Sequence, residues 1–244
     1  MNDPTNVLRI PSRNRVRGHS SSPLALLASV SLALLLGVMA LVLLQGGPAQ
    51  AQQPRATSQR AARIVRLTFD DGPVRANTPR VLNVLSNNRV KATFFVVGQR
   101  ARRYPRLVKR EYREGHSVQN HTYSHPDLTT LGPVGIRREL HATNRAIKAA
   151  GVPRPYRFRP PYGVTNAKVR SVGASLGLIQ TLWSVDPRDW AGPSATVICR
   201  RVVTNVSPGS IVLLHDGSVG TNTAEALPCI IKRLRAQGYE FGKL

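Results

Sequence analysis

Two adjacent aspartates stand where the first strand-like run of the chain stops. Residues 66–73 read RLTFDDGP, so strand-forming side chains give way to Asp70 and Asp71 and then to a Gly-Pro turn signal. Neighbouring carboxylates repel each other, and one neutral substitution would relieve that repulsion. A surface turn would explain an isolated DDG sequence, whereas a chemical role for both acids requires partners from elsewhere in the chain.

A pair of histidines is the second group that could do chemistry. In NHTYSHP (120–126), His121 and His125 are four residues apart, which places both on one face if the segment takes a helical turn. With Asp71 they would give a divalent cation three protein ligands and leave a fourth position for water, as in catalytic zinc sites. Histidine and carboxylate also bind Co²⁺ or Ni²⁺, so Zn²⁺ is a preference.

Strand-like and helix-like segments alternate along most of the chain. The predicted strands lie near 63–69, 91–97, 116–120, 156–159, 178–184, 210–214 and 239–242. The predicted helices lie near 78–87, 100–114, 133–150, 165–175, 194–204 and 222–237. This alternation predicts parallel strands with crossover helices, as an α/β barrel or a doubly wound sheet.

The reactive residue types fall at the ends of these strands. They are Asp70 and Asp71 after the first strand, His121 and His125 after the third, Arg159 at the fourth, Asp186 and Asp189 after the fifth, and His215 and Asp216 after the sixth. In parallel α/β folds the carboxyl ends of the strands share one edge, where active sites lie. The sequence therefore predicts a single site at that edge.

Five short motifs resemble, in order, those of the polysaccharide deacetylases, the NodB-homology proteins of carbohydrate esterase family 4. They are TFDDG (68–72), HTYSH (121–125), RPPYG (159–163), DPRDW (186–190) and LLHDG (213–217). The resemblance extends from about residue 63 to the C-terminus. It implies a distorted (β/α) barrel with its active site at the C-terminal ends of the strands, and metal-dependent hydrolysis of N-acetyl groups.

The resemblance also implies roles for the first two motifs. It assigns the metal to Asp71, His121 and His125, and the general base to Asp70. Arg159 would hold Asp70 ionised and oriented, which suits a planar guanidinium. Successive side chains of an extended chain point in opposite directions, so we expect the two aspartates to serve different partners.

The remaining motifs complete the implied mechanism. The backbone N–H of Tyr162 would stabilise the oxyanion, and His215 would protonate the departing amine with its pKa raised by Asp189. Trp190 and Leu213 would form the walls for the acetyl methyl group, although core packing explains Leu213 equally well. No organic cofactor is implied.

The first 62 residues have the composition of a targeting segment and a linker. Arg9, Arg13, Arg15 and Arg17 precede an uncharged apolar run, Leu24–Leu44, and AQA stands at 49–51. This pattern predicts an export signal cleaved after Ala51. The run has 21 residues and is long enough to span a bilayer, so residues 1–51 are a signal peptide or a membrane anchor. Residues 52–62 are a polar linker to the domain at 63–244.

Charge and cysteine content indicate an extracytoplasmic, anionic environment. The chain has 35 basic and 12 acidic residues, and removal of residues 1–51 leaves 31 and 11, a net charge of +20. This charge favours an anionic cell wall as partner, or serves solubility alone. Nucleic acid is disfavoured as a partner, because the domain is predicted to be exported and has few aromatic residues. Cys199 and Cys229 favour a disulfide over two free thiols, and we expect a monomer that meets the membrane only through its N-terminal segment.

The substrate is an acetylated polysaccharide whose identity the motifs leave open. Peptidoglycan N-acetylglucosamine fits an exported basic protein best, and chitin or its oligomers undergo the same reaction. Acetylxylan would require ester cleavage by the same residues. A non-catalytic envelope-binding protein on the same fold is the alternative of another class, and the complete set of site residues disfavours it.

Overall fold

Strands and helices alternate in the structure, a computed structural model that describes residues 63–220 and 222–244. The strands are β1 (Arg63–Asp70), β2 (Thr93–Val96), β3 (Ser117–Asn120), β4 (Arg157–Phe158), β5 (Ile179–Gln180), β6 (Ile211–His215) and β7 (Tyr239–Gly242). The helices are α1 (Thr78–Asn87), α2 (Gly98–Arg103), α3 (Pro105–Arg113), α4 (Pro133–Ala149), α5 (Ala167–Ser175), α6 (Ala195–Asn205) and α7 (Thr223–Ala236). The predicted targeting segment and linker lie outside the described residues, within which no helix is long and apolar enough to cross a membrane.

All strand pairs are parallel. The order is β5-β4-β3-β2-β1-β6, and β7 pairs with the first half of β1. Val65, Leu67 and Phe69 of β1 are fully buried, as expected for an inner strand of a parallel sheet. The end of β1, at Asp70, therefore lies on the carboxyl edge between the ends of β2 and β6.

A short segment joins the two edges of the sheet and forces it to curl. β5 pairs with β4 at one edge, and Val185 forms a bridge to Val212 of β6 at the other. Residues 180 and 185 are at most about 17 Å apart, whereas the edges of six strands laid flat would be about 24 Å apart. The sheet is thus the distorted α/β barrel that the motifs imply, and the doubly wound alternative is excluded.

Two predicted elements are shorter than expected. The helix predicted over 100–114 breaks into α2 and α3 at Tyr104, whose φ of −127° and ψ of 53° are not helical. Pro105 explains the break, because proline has no N–H and disfavours the helical conformation in the residue before it. The strand predicted over 178–184 pairs regularly only at β5, because the chain there crosses from one edge to the other.

A disulfide joins Cys199 of α6 to Cys229 of α7, as the sequence favoured. The two cysteines are 30 residues apart, and the loop they close contains β6 and its terminal His215. In the chain-entropy model a loop of this length stabilises the fold by about 3–4 kcal/mol.

Candidate active site

Eight of the ten predicted site residues line one cavity of about 550 Å³ at the carboxyl edge of the sheet. They are Asp70, Asp71, His121, His125, Tyr162, Trp190, Leu213 and His215, and Trp183, Asp186 and Val219 complete the lining. Arg159 and Asp189 are 0% and 1% exposed and lie behind the wall, bonded to Asp70 and His215. The fold therefore brings all ten residues together.

Asp71, His121 and His125 could hold a metal ion, since one ligand atom of each lies within 4.8 Å of the others. Asp71 Oδ1 is 3.4 Å from Nε2 of His121 and 3.1 Å from Nε2 of His125. Burial alone would raise the pKa of Asp71, but its hydrogen bonds to the two histidines and their charges hold that pKa well below its usual range. The carboxylate is therefore ionised and able to bind a cation.

The orientation of His121 fits metal ligation. Its Nδ1 lies 2.8 Å from the carbonyl oxygen of Arg159, which can only accept, so Nδ1 donates and Nε2 points to the cluster. Burial would lower the pKa of His121, but the charges of Asp70 and Asp71 and a hydrogen bond to Asp71 raise it. A cation would therefore compete with a proton for Nε2.

The loop that carries both histidines is not the helical turn that their spacing suggested. Thr122 and His125 have φ values of 65° and 63°, in the left-handed region that is uncommon for residues other than glycine and rarest for a β-branched residue such as Thr122. The Glu139 carboxylate of α4 accepts hydrogen bonds from the N–H groups of Tyr123 and Ser124, each at 2.8 Å. The imidazoles therefore converge through a strained loop supported by α4.

Asp70 is held by a buried arginine. Arg159 Nη1 donates to Asp70 Oδ1 at 2.7 Å and to the Thr68 hydroxyl at 2.9 Å, while Nε and Nη2 donate to backbone carbonyls of residues 181–182. These bonds compensate for the burial of the guanidinium. They engage only Oδ1, and Asp70 Oδ2 faces the metal cluster, 3.7 Å from His121 Nε2.

The two adjacent aspartates diverge because the chain turns between them. Asp71 has a φ of 72°, so the alternation of an extended strand is not the cause. Glycines allow the turn to pack: a Cβ at Gly72 would lie 2.3 Å from a carboxylate oxygen of Asp216, and a Cβ at Gly217 would lie 2.4 Å from the Cβ atom of Asp71. The ends of β1 and β6 therefore approach so closely that only glycine fits at both positions.

His215 ends β6 and pairs with the buried Asp189. Its Nδ1 lies 2.8 Å from Asp189 Oδ1, and Oδ2 accepts from the His215 N–H at 2.8 Å and from the Thr223 hydroxyl at 2.6 Å. Burial would lower the pKa of His215, but the hydrogen bond and charge of Asp189, with the charges of Asp70 and Asp71, raise it to about 9. The imidazole is therefore protonated at neutral pH.

Tyr162, Trp190 and Leu213 form apolar parts of the wall. Tyr162 lies in the turn after β4 with a φ of 59°, and its ring packs edge-on against His125 with the centroids 4.8 Å apart. Trp190 is 43% exposed, with the Arg188 guanidinium 5.1 Å from its ring, whereas Leu213 is 4% exposed. Leu213 therefore belongs to the core and to the wall, the two alternatives that the sequence left open.

The family model described as polysaccharide deacetylase matches residues 57–180, more than half of the chain. The chain belongs to the polysaccharide deacetylase family. The matched range contains the Asp71, His121 and His125 cluster and the Asp70–Arg159 pair of the candidate site. Asp189 and His215 follow that range, and the fold brings them to the same cavity.

Two relatives are named deacetylases. The chain is 43% identical to the chitooligosaccharide deacetylase of Sinorhizobium fredii, over 72% of this chain and 87% of the relative. It is 37% identical to a peptidoglycan-N-acetylglucosamine deacetylase of Listeria monocytogenes, over 80% of this chain and 41% of the relative. The predicted family and the predicted enzyme class, a polysaccharide deacetylase, are confirmed by these matches.

Two solved structures share the deacetylase fold. A family 4 carbohydrate esterase from Streptomyces lividans, in complex with acetate, is 41% identical with a TM-score of 0.69, over 73% of this chain and 91% of the other. A pseudoenzyme of the same family from Bacillus anthracis is 35% identical with a TM-score of 0.71, over 75% of this chain and 64% of the other. The predicted fold is confirmed. Because the fold also occurs in a pseudoenzyme, the chemistry of this chain depends on its cavity residues.

Three residues that line or support the candidate site were not singled out from the sequence. Trp183 lines the cavity, Thr223 supports Asp189, and Glu139 supports the histidine loop. Each lies in a predicted strand or helix and outside the five motifs, so only tertiary contacts reveal them.

We expect Glu139 to control metal affinity without contacting the metal. Its carboxylate also accepts from the Ser124 hydroxyl at 2.9 Å, so Glu139→Ala removes three acceptor contacts from a strained loop. Metal affinity should fall by about 10- to 100-fold, as for other partners of ligand residues, and less in Glu139→Gln, which keeps one acceptor oxygen. Equilibrium dialysis against Zn²⁺ measures this. Arg137→Ala, at an exposed neighbour on α4, is the control, and an unchanged affinity in Glu139→Ala would contradict the role.

Proposed function

We propose that the protein removes N-acetyl groups from N-acetylglucosamine units of peptidoglycan, with a divalent cation as cofactor. Zn²⁺ is preferred, and Co²⁺ or Ni²⁺ suit the same donors. One observation carries the proposal: a carboxylate bonded to Arg159 and an imidazole bonded to Asp189 both face the cavity that contains the metal cluster. A general base and a general acid are the two groups that amide hydrolysis requires.

Asp71, His121 and His125 would hold the cation. A cation held there would polarise the acetyl carbonyl and would lower the pKa of a water molecule to about 7. One carboxylate and two imidazoles leave coordination positions open, which suits a catalytic rather than a structural zinc site.

Asp70 would take the proton of the attacking water. The 2.7 Å bond from Arg159 to Oδ1 fixes the carboxylate and leaves Oδ2 on the cavity side. Because three further hydrogen bonds hold the buried guanidinium, Asp70 does not have to reorient before it accepts the proton.

The tetrahedral intermediate needs a donor for its oxyanion, and its collapse needs a proton for the leaving nitrogen. The backbone N–H of Tyr162 would donate to the oxyanion. His215 would transfer its proton to the amine nitrogen, and Asp189 would stabilise the imidazolium until that transfer. Cleavage of the C–N bond releases acetate and leaves a free amine on the sugar, with Trp190 and Leu213 beside the acetyl methyl group.

Peptidoglycan is the substrate that charge and relationship favour together. The part of the chain after residue 51 carries a net charge of +20, which suits an anionic wall, and one relative is named a peptidoglycan deacetylase. Chitin oligomers are the second candidate because another relative is named for them. Acetylxylan esterase activity and non-catalytic envelope binding are the remaining alternatives.

We propose that the domain acts outside the cytoplasm as a monomer, without a nucleic-acid partner. The Cys199–Cys229 disulfide suits an oxidising compartment. Cleavage after Ala51 would give a mature chain beginning at Gln52, whereas retention of Leu24–Leu44 would leave it anchored in the membrane. The mass of the exported chain distinguishes these outcomes.

Acetate release from peptidoglycan, chitin oligomers and acetylxylan, measured side by side on the Zn²⁺-loaded protein, tests the proposed function. We expect the highest kcat/KM on peptidoglycan, loss of turnover on chelation and recovery on return of Zn²⁺. Release of acetate from none of the three by the metal-loaded protein would contradict the enzymatic proposal and favour envelope binding.

A further inference from the structure

A second cavity, larger than the active-site cavity, lies beside the histidine loop. It occupies about 770 Å³ between α2 and α4, and Tyr123 and Ser124 of the loop line it. His121 and His125, on either side of these two residues, line the active-site cavity. The two cavities therefore share one five-residue loop as a common wall.

Small side chains between the two helices create the second cavity. Its apolar lining is formed by Ala101, Pro105, Ala142, Ala146, Ala149 and Ala150. Along α4, Arg138, Ala142, Arg145 and Ala149 recur every three or four residues and so share one helix face. A concave face about three helical turns long suits an extended polymer better than a flat membrane surface.

Within the described part of the chain, the three arginines that line this cavity have no acidic partner. Arg102, Arg138 and Arg145 are exposed, and none forms an ion pair with a carboxylate of residues 63–220 and 222–244. Arg102 makes only a long 3.5 Å contact with the Tyr123 hydroxyl. The one acid in the described lining, Glu139, has both oxygens bonded to the histidine loop. The cavity is therefore a positively charged groove.

We propose that this arginine groove binds peptide carboxylates of the peptidoglycan strand whose N-acetyl group occupies the active site. A guanidinium matches a planar carboxylate with two parallel hydrogen bonds. In this proposal the peptide substituents of neighbouring sugars bind the arginines while the acetyl group stays beside Asp70, because the groove and the active-site cavity share the histidine loop. The inference rests on the proposed function and would account for the expected preference for an anionic glycan over neutral chitin oligomers.

Two matched triple variants test the groove. The groove variant is Arg102→Gln, Arg138→Gln and Arg145→Gln, and the control variant is Arg106→Gln, Lys109→Gln and Arg113→Gln on exposed positions of α3. Both remove three positive charges and keep a residue of similar helix propensity. The substrates are soluble peptidoglycan fragments with free peptide carboxylates and the same fragments with those carboxylates converted to methylamides.

We expect the groove variant to lose affinity only for fragments that carry free peptide carboxylates. On the free-carboxylate fragments the groove variant should show a KM raised by roughly tenfold with kcat unchanged, as when binding common to ground and transition state is removed. On the methylamide fragments its KM should stay within about twofold of the wild type, and the control variant should change on neither. The wild-type KM should also rise with salt more steeply than that of the groove variant.

Three results would contradict the proposed role of the groove. The KM of the groove variant could change equally on both substrates, it could change on neither, or the control variant could show the same change. Loss of affinity for a glycerol phosphate polymer, with the carboxylate KM unchanged, would assign the groove to phosphate instead. Fluorescence anisotropy of a labelled free-carboxylate fragment measures binding without turnover. This measurement also decides the case in which no acetate is released. If the fragment then binds more weakly to the groove variant than to the wild type and the control variant, the proposed role of the groove is supported. If it binds equally to all three proteins, that role is wrong.

Discussion

Asp70→Asn will bind Zn²⁺ like the wild type and release acetate about 10² to 10⁴ times more slowly. Asparagine has nearly the same shape as aspartate and keeps an oxygen for the bond from Arg159 Nη1, which is 2.7 Å in the wild type. An amide cannot take the proton of the attacking water, so the loss falls on the chemical step. Metal analysis alongside acetate release at saturating Zn²⁺ measures both quantities on one sample.

The neighbouring variant Asp71→Ala will lose metal first and activity as a consequence. Its carboxylate oxygen lies 3.4 Å and 3.1 Å from the two histidine Nε2 atoms, so its removal leaves the cluster with only two donors. Excess Zn²⁺ should restore part of the turnover, whereas it should restore none in Asp70→Asn. If Asp70→Asn kept wild-type turnover, or if both variants merely lost metal, the division of labour between the aspartates would be wrong.

A control and a stability measurement separate chemistry from folding. Asp186→Asn removes an exposed carboxylate from the same cavity and should keep metal and turnover close to the wild type. Asp70→Asn leaves the fully buried Arg159 without its counter-charge, and breaking a buried pair costs up to about 3–5 kcal/mol. We therefore expect a lower melting temperature, and both assays should be run below it.

The position of the site is predictable from the sequence because it depends only on the direction of the strands. Polar residues that follow parallel strands meet at one edge, whatever their loops do. Asp70 and His215 illustrate this: they are 145 positions apart in the chain, yet they pair directly in the register of β1 and β6. The motifs and the alternating pattern were sufficient for this part of the structure.

The local geometry of the ligands is not predictable in the same way. Both sequence-based explanations, a helical turn for His121 and His125 and strand alternation for the aspartates, apply periodicity beyond the end of a regular element. Asp71, Thr122 and His125 have positive φ values, which cost energy in residues other than glycine and persist only where the surroundings hold them. Contacts distant in sequence, such as those of Glu139, hold them here, and no local pattern encodes such contacts.

His215→Ala will slow acetate release by about 10² to 10⁴ and leave the metal content unchanged. The pKa of the imidazole is raised to about 9, so it carries a proton at neutral pH, and it contributes no atom to the cluster of Asp71, His121 and His125. If the variant lost metal together with activity, His215 would act in metal binding rather than in proton transfer. Full activity would remove it from the mechanism.

Asp189→Asn will act through His215 and move the alkaline limb of the rate profile to lower pH. The charge of Asp189 helps to raise the pKa of His215 to about 9, so the proton donor is present below that pH and is lost as the pH rises through it. An amide at 189 can still bond to the ring but lacks the charge, so the imidazole loses its proton at lower pH. The variant should therefore be close to wild type in acid and much slower near pH 9.

Thr223→Val is the matched control for Asp189→Asn, because it removes the 2.6 Å hydrogen bond to Asp189 Oδ2 and keeps the carboxylate. Its alkaline limb should stay closer to that of the wild type. The measurement is kcat/KM of the Zn²⁺-saturated proteins from about pH 6 to pH 10. A loss of the same size at every pH in Asp189→Asn, with the limb unmoved, would mean that Asp189 only positions the imidazole and that its charge does not control the proton donor.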